Sequence, residues 1–250
     1  MKHLLILLLL ATAGCSRTTN EAAGQAETQP APAYYEIGTP LGRLVVRLYD
    51  ETPLHRDNFK KLVAEGFYNG TTFHRVIAGY MIQGGDPNSK DEDPYNDGNG
   101  GPGYTVPAEF NRAFFHKRGA LVTARQPDQV NPERRSSGSQ FFIVQGGRPF
   151  DAAMLDQMEE QIRRTLPDPN FTFSPEARAA YTTDGGAPQL DMQYSVFGEL
   201  IEGFDVLDRI ATTQTPRSTA QPAHPVLTDR PLQHIPMTIR PLPDYQPPAR

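Results

Sequence analysis

Hydrophobic positions along this 250-residue chain change their period several times, and each change predicts an element. Leu4–Leu10 is an unbroken apolar run, too short to span a bilayer. Ser16–Ala33 has no period; its small, polar and proline residues predict a flexible tether. Tyr34–Ile37 and Arg43–Tyr49 read as two strands, with Thr39-Pro40-Leu41-Gly42 as the turn between them. From Thr52 to Gly66 the period turns helical. Leu54, Phe59, Leu62 and Val63 share one side, Thr52 stands at the N-cap, Pro53 opens the helix and Gly66 follows its end.

Short strand-like runs then recur at 71–77, 80–85, 119–124, 139–144 and 194–200. Many short strands with few helices predict a barrel or sandwich. Arg148–Pro188 interrupts them. Met154, Leu155, Met158 and Ile162 fall at helical spacing, and Ser174-Pro175 starts a second short helix, so this stretch reads as a helical insertion. Gly203–Thr212 predicts a further helix packing Phe204, Leu207 and Ile210, and Pro236–Leu242 a last strand. No internal repeat stands at a fixed period.

Composition narrows the function. Lys and Arg number 24 against 29 Asp and Glu, a net charge of −5, which disfavours nucleic acid as a partner. The 24 prolines and 21 glycines favour turns over a helical bundle. The one cysteine, Cys15, ends the apolar leader, whose basic start is Lys2 and His3. Residues 1–14 read as a secretory signal. Ala13-Gly14-Cys15 resembles the lipobox of bacterial lipoproteins, departing from it at Thr12. That resemblance implies lipid attachment at Cys15, a tether over 15–33 and a folded domain over 34–250, with the insertion at 148–188. The protein is then exported and membrane-anchored; with Ser16 after the cysteine in place of the aspartate that retains some such proteins, the outer membrane facing the periplasm is the expected site. With Cys15 acylated, the domain has no thiol for a disulfide, thiolate catalysis or cysteine-ligated zinc.

The chemistry concentrates in Phe73–Asp86, "FHRVIAGYMIQGGD": one arginine, one amide, apolar side chains and a pair of glycines after the amide. No nucleophile, carboxylate pair or metal-ligand spacing is present. The glycine-rich stretch before Tyr104 lacks the Lys-Ser/Thr of a phosphate loop, and the twelfth position counted from Asp93 is Tyr104 where a calcium loop needs Glu. Adjacent strand residues face opposite sides, so His74 reads as a hydrogen-bonded structural histidine rather than a base beside Arg75, and Phe73 and Phe141 read as core.

"FYNGTTFHRVIAGYMIQGGD" (Phe67–Asp86) resembles the cyclophilin signature. "GSQFFI" (Gly138–Ile143), "SVFGEL" (Ser195–Leu200) and the glycine-rich "GNGGPGY" before "AEF" resemble further cyclophilin motifs in the family's order. The resemblance runs from Tyr34 to Leu242, leaving out the insertion. It implies a mainly β fold: an eight-stranded antiparallel barrel capped by two helices. It also implies peptidyl-prolyl cis–trans isomerase activity, with the groove on the outer wall because side chains fill the interior. The catalytic residues implied are Arg75 and Gln83. Those implied for substrate binding are Tyr80, Met81, Gly98, Ala124, Arg125, Gln140, Phe142, Leu190 and Tyr194. Arg125 stands where the family often has Asn, and Tyr194 where many members have His. The pocket-edge Trp has no counterpart; the match there is Gln189, which implies weak cyclosporin binding. No cofactor or metal is expected, the partner is a proline-containing polypeptide, and the protein is expected to be a monomer. The alternative is a module that grips proline segments or unfolded chains with little turnover.

Overall fold

The computed structural model describes residues 34–166 and 168–247. Cys15, the leader and the tether lie outside the described residues. Strands β1 (Tyr34–Thr39) and β2 (Gly42–Leu48) form the first hairpin, followed by helix α1 (Pro53–Ala64). Then come β3 (Arg75–Ile77), β4 (Met81–Gly84), β5 (Thr105–Val106), β6 (Ala120–Thr123), β7 (Ser136–Ser137) and β8 (Phe141–Val144). Helices α2 (Ala152–Thr165) and α3 (Pro175–Asp184) precede β9 (Val196–Glu202), α4 (Phe204–Ala211) and β10 (Thr238–Pro241).

Eight strands make one antiparallel sheet in the order β10-β1-β2-β9-β6-β8-β4-β3, and β5 pairs with β7 separately. The sheet curls until its edges meet. The segment entering β3 bonds to the segment entering β10, with Phe73 N–H donating to Ile235 O at 3.0 Å and Met237 N–H to Thr71 O at 2.8 Å. This pairing shortens the strand expected over 71–77 to Arg75–Ile77, because Thr71–Phe73 serve the opposite edge. Inside the curl lies a core of Ile37, Leu44, Val46, Ile82, Phe141 and Ile143, joined by Phe59 and Leu62 of α1 and Leu207 and Ile210 of α4. Burial of these apolar chains is the main force holding the two capping helices to the sheet.

The buried stripes of the two capping helices differ from the expectation. Leu54 is 50% exposed, and His55 takes the inward place, its ring nitrogens reaching Glu109 at 2.5 Å and Ser136 at 2.9 Å. Thr52 makes no side-chain cap; the carboxylate of Glu109 accepts from the N–H groups of Leu54 and His55 at 3.1 and 3.0 Å, satisfying donors that open every helix. In α4, Val206 is buried, while Phe204 lies at the surface under Arg118.

Helices α2 and α3 have their own apolar cluster of Leu155, Ile162, Phe171, Phe173, Ala177 and Tyr181. Both are capped locally: Asp151 accepts from Met154 N–H and Ser174 from Ala177 N–H. Met154 is exposed, so the buried stripe is narrower than its spacing suggests. Tyr181 Oη donates to the buried carboxylate of Asp191 at 2.8 Å, which ties α3 to the loop before β9.

Candidate active site

Side-chain alternation sorts the central strands into two faces. On β4, Ile82 enters the core while Met81 faces outward; on β8, Phe141 and Ile143 point in while Phe142 and Val144 point out; on β6, Leu121 points in while Val122 points out. Arg75 precedes inward Val76 on β3, so it too stands outside. Register then aligns the outward set. Arg75 pairs with Gln83, Gln83 with Phe142, and Phe142 with Val122. A cation, an amide and an aromatic ring therefore sit side by side across three strands, although Phe142 is far from the other two in sequence.

Arg75, Tyr80, Met81, Gln83, Ala124, Arg125, Phe142, Leu190 and Tyr194 line one pocket of about 150 Å³ on the outer wall. Met81 and Phe142 are buried and form its floor. Tyr194 stands edge-on to Phe142 at 6.0 Å between ring centroids. Arg125 caps Tyr194 with its guanidinium 4.5 Å from the ring centre and donates from Nε to Gln193 O at 2.9 Å. Its Nη1 donates to Gln126 O and to Asp128 Oδ1. Arg125 is thus a wall residue, held by three partners. Burial pushes the Tyr80 phenol above its usual range, so it stays a neutral donor.

Arg75 is half-exposed. Its Nη1 lies 3.4 Å from Gln83 Oε1, and its Nε makes an ion pair with Asp229 at 3.5 Å. Gln83 in turn donates to Gln140 Oε1 at 3.1 Å. Gln140 and Gly98 lie outside the small pocket; with Gln83, Ala124 and Arg125 they border an adjoining hollow of about 850 Å³. Gln140 Nε2 donates to Gly98 O at 3.0 Å and Gly100 O at 2.8 Å, which fixes the glycine-rich loop against the sheet.

Two acidic residues of this network escaped the sequence reading. Asp86 is fully buried, and its carboxylate accepts from Asn88, Gly98 and Gly100 N–H. Gly85, with φ of +85° and room for no Cβ because Ser139 O would lie 2.5 Å away, turns the chain so that Asp86 points beneath the loop. The Gly-Gly-Asp ending of the motif was the available signal. Asp229 lies in a long C-terminal loop with no motif around it. His74 is buried beside Asp86 and Asp97, with the Thr72 backbone within hydrogen-bonding range of its ring. Gln189 is exposed on the turn that carries Leu190.

Comparison with known proteins gives the family. The sequence model of the family described as cyclophilin type peptidyl-prolyl cis-trans isomerase/CLD matches residues 34–238. A putative peptidyl-prolyl cis-trans isomerase of Staphylococcus saprophyticus is 37% identical over 186 residues, covering 73% of this chain and 81% of that protein. One of Staphylococcus haemolyticus is 34% identical over 216 residues, covering 84% of this chain and 96% of its own length. Among solved structures, a cyclophilin type peptidyl-prolyl cis-trans isomerase of Cryptosporidium parvum, crystallised in the presence of the dipeptide Ala-Pro, superposes with a TM-score of 0.54 at 25% identity, covering 82% of this chain and 96% of that one. The outward cation, the apolar cup beside it and the curled eight-stranded sheet beneath accordingly belong to a cyclophilin-type peptidyl-prolyl cis-trans isomerase.

Proposed function

We propose that the pocket holds the prolyl ring of an Xaa-Pro segment and that Arg75 speeds rotation by stabilising the twisted amide. The barrier to be lowered, about 18–20 kcal/mol, comes from C–N resonance. Twisting breaks that resonance and localises a lone pair on the prolyl nitrogen, which becomes an acceptor it was not before. A fixed cationic donor bonds to that nitrogen in the twisted state alone, and such donors lower barriers by about 2.7–4 kcal/mol. Arg75 suits this role because its planar fork is always charged. Met81, Phe142 and Leu190 bury the ring, contributing about 1.5–3 kcal/mol to binding. That burial favours planar and twisted forms alike, so it fixes the ring without speeding the step. Gln83 and Gln140 offer amides to the substrate backbone, holding one side of the bond while the other turns.

The observation that carries this reading is the register Arg75–Gln83–Phe142, which sets the cation beside the apolar floor. The test is isomerisation of a short Xaa-Pro peptide by the protein and by Arg75→Ala. A fall in kcat/KM of about 100-fold is expected; a loss of only a few-fold would sink the mechanism. We further propose that the protein works in the bacterial cell envelope, assisting folding there, anchored through a lipid on Cys15. The apolar leader ending at the chain's one cysteine supports this. Cys15→Ser should move the protein from the membrane fraction to the soluble fraction; an unchanged distribution would refute the anchor.

A further inference from the structure

The groove is braced from behind by the long loop between α4 and β10, and this loop reaches the site at two adjacent residues. Asp229 O accepts from Val76 N–H at 2.8 Å, next to Arg75 on the same strand. The Asp229 carboxylate faces Arg75 Nε at 3.5 Å through one oxygen and accepts from Arg217 Nε at 2.5 Å through the other. Arg230 donates to the buried Asp97 at 2.6 Å, in the glycine-rich loop just before Gly98.

We propose that Asp229 is a positioning residue for the isomerase reaction, acting through Arg75. This rests on the reading of Arg75 given above. A long arginine on a strand surface has several rotamers of similar energy. Here two contacts select among them: Gln83 takes Nη1 from one side and Asp229 takes Nε from the other. Nη2 is left for the substrate. Because Asp229 is itself pinned by its backbone carbonyl, its carboxylate stays in place whether or not Arg75 moves. Arg217 shares the carboxylate, so the anion is matched by two cations and the field at Arg75 remains positive. A misplacement of about 1 Å in a catalytic group lowers rates by as much as about 100-fold, so an orienting anion behind the guanidinium has measurable leverage.

The test is a double-mutant cycle on Asp229 and Arg75, read by peptide isomerisation and by the NMR signal of the Arg75 Nε–H. Asp229→Ala should lower kcat about tenfold with KM within about twofold, a fraction of the loss that removal of a donor itself brings. Asp229→Asn, which keeps an acceptor and the backbone contact, should stay within about threefold of the parent. In an Arg75→Ala background neither change should lower the residual rate further. The Nε–H resonance should shift and broaden in Asp229→Ala. Asp229→Ala activity equal to the parent, equal losses in both backgrounds, or an unmoved Nε–H signal would each overturn the proposal. If Arg75→Ala alone keeps its activity, the reading of Arg75 fails rather than the placement of Asp229.

Discussion

Asp86→Asn removes the charge beneath the glycine-rich loop while keeping the shape of the side chain, and its effect can be worked from the bonds. Asp86 Oδ1 accepts from Asn88 N–H at 2.8 Å, and Oδ2 accepts from Gly98 and Gly100 N–H at 2.5 and 3.1 Å. Asparagine has one carbonyl oxygen, so its amide NH2 must face either Asn88 N–H or the two glycine N–H groups. At least one buried donor is then orphaned, at about 1–3 kcal/mol, and each surviving bond loses about 1 kcal/mol with the charge. Relief of the carboxylate's desolvation offsets part of this. The net is about 3 kcal/mol, which for a domain of this size is about 6–12 °C in Tm. The loop carries Gly98 and Gly100, whose carbonyls hold Gln140, so Gln140 and Gln83 should loosen with it and, on the proposed mechanism, kcat/KM should fall several-fold. Thermal and urea unfolding measure the first effect and peptide isomerisation the second. A variant melting within about 2 °C of the parent with unchanged activity would refute the reasoning.

Burial holds the imidazoles of His55 and His74 below their ordinary pKa of 6.5, although carboxylates beside each oppose the shift. As pH falls below about 6.5 the unfolded chain takes up protons that the folded one refuses, so stability is full above that pH and drops on acidification, by up to about 1.4 kcal/mol per unit for each histidine; equal melting temperatures at about pH 7.5 and about pH 5.5 would contradict this. Tyr181→Phe deprives the buried Asp191 carboxylate of a donor, while His116 N–H keeps Asp191 as its acceptor, and should destabilise by about 1–3 kcal/mol in urea; an unchanged midpoint would show that α3 is held by its apolar cluster alone. With Gln189 in place of an indole, cyclosporin should bind weakly, and a dissociation constant below about 100 nM by calorimetry would refute that.

Most of the sheet was legible because strand alternation is a local property. Once the family motif put Met81, Gln83 and Phe142 in the groove, alternation put Ile82, Phe141 and Ile143 on the other face, and the sheet places them so. Helix α1 was legible as an element but not in its detail. Its first turn is capped by Glu109, and a partner so far along the chain leaves no trace in the spacing of Leu54 and His55. The apolar cup around Arg75 could be listed from the family motif. Its braces could not: Asp86 and Asp229 act through tertiary contacts, and a lone aspartate in a loop has the same local sequence whether it faces water or a guanidinium. The shortened β3 has a similar cause, since only the closed sheet reveals that Thr71–Phe73 bond to the far edge.

The central claim is that the apolar cup binds and Arg75 accelerates. Exchange NMR on an Xaa-Pro peptide at saturating enzyme separates the two, because it reads the cis–trans rate on the bound peptide and the dissociation constant in one titration. The account predicts that Arg75→Ala slows bound-state exchange by about 100-fold while the dissociation constant changes by less than about threefold. A variant that loses affinity in proportion to rate, or that exchanges the bound peptide as fast as the parent, would contradict it.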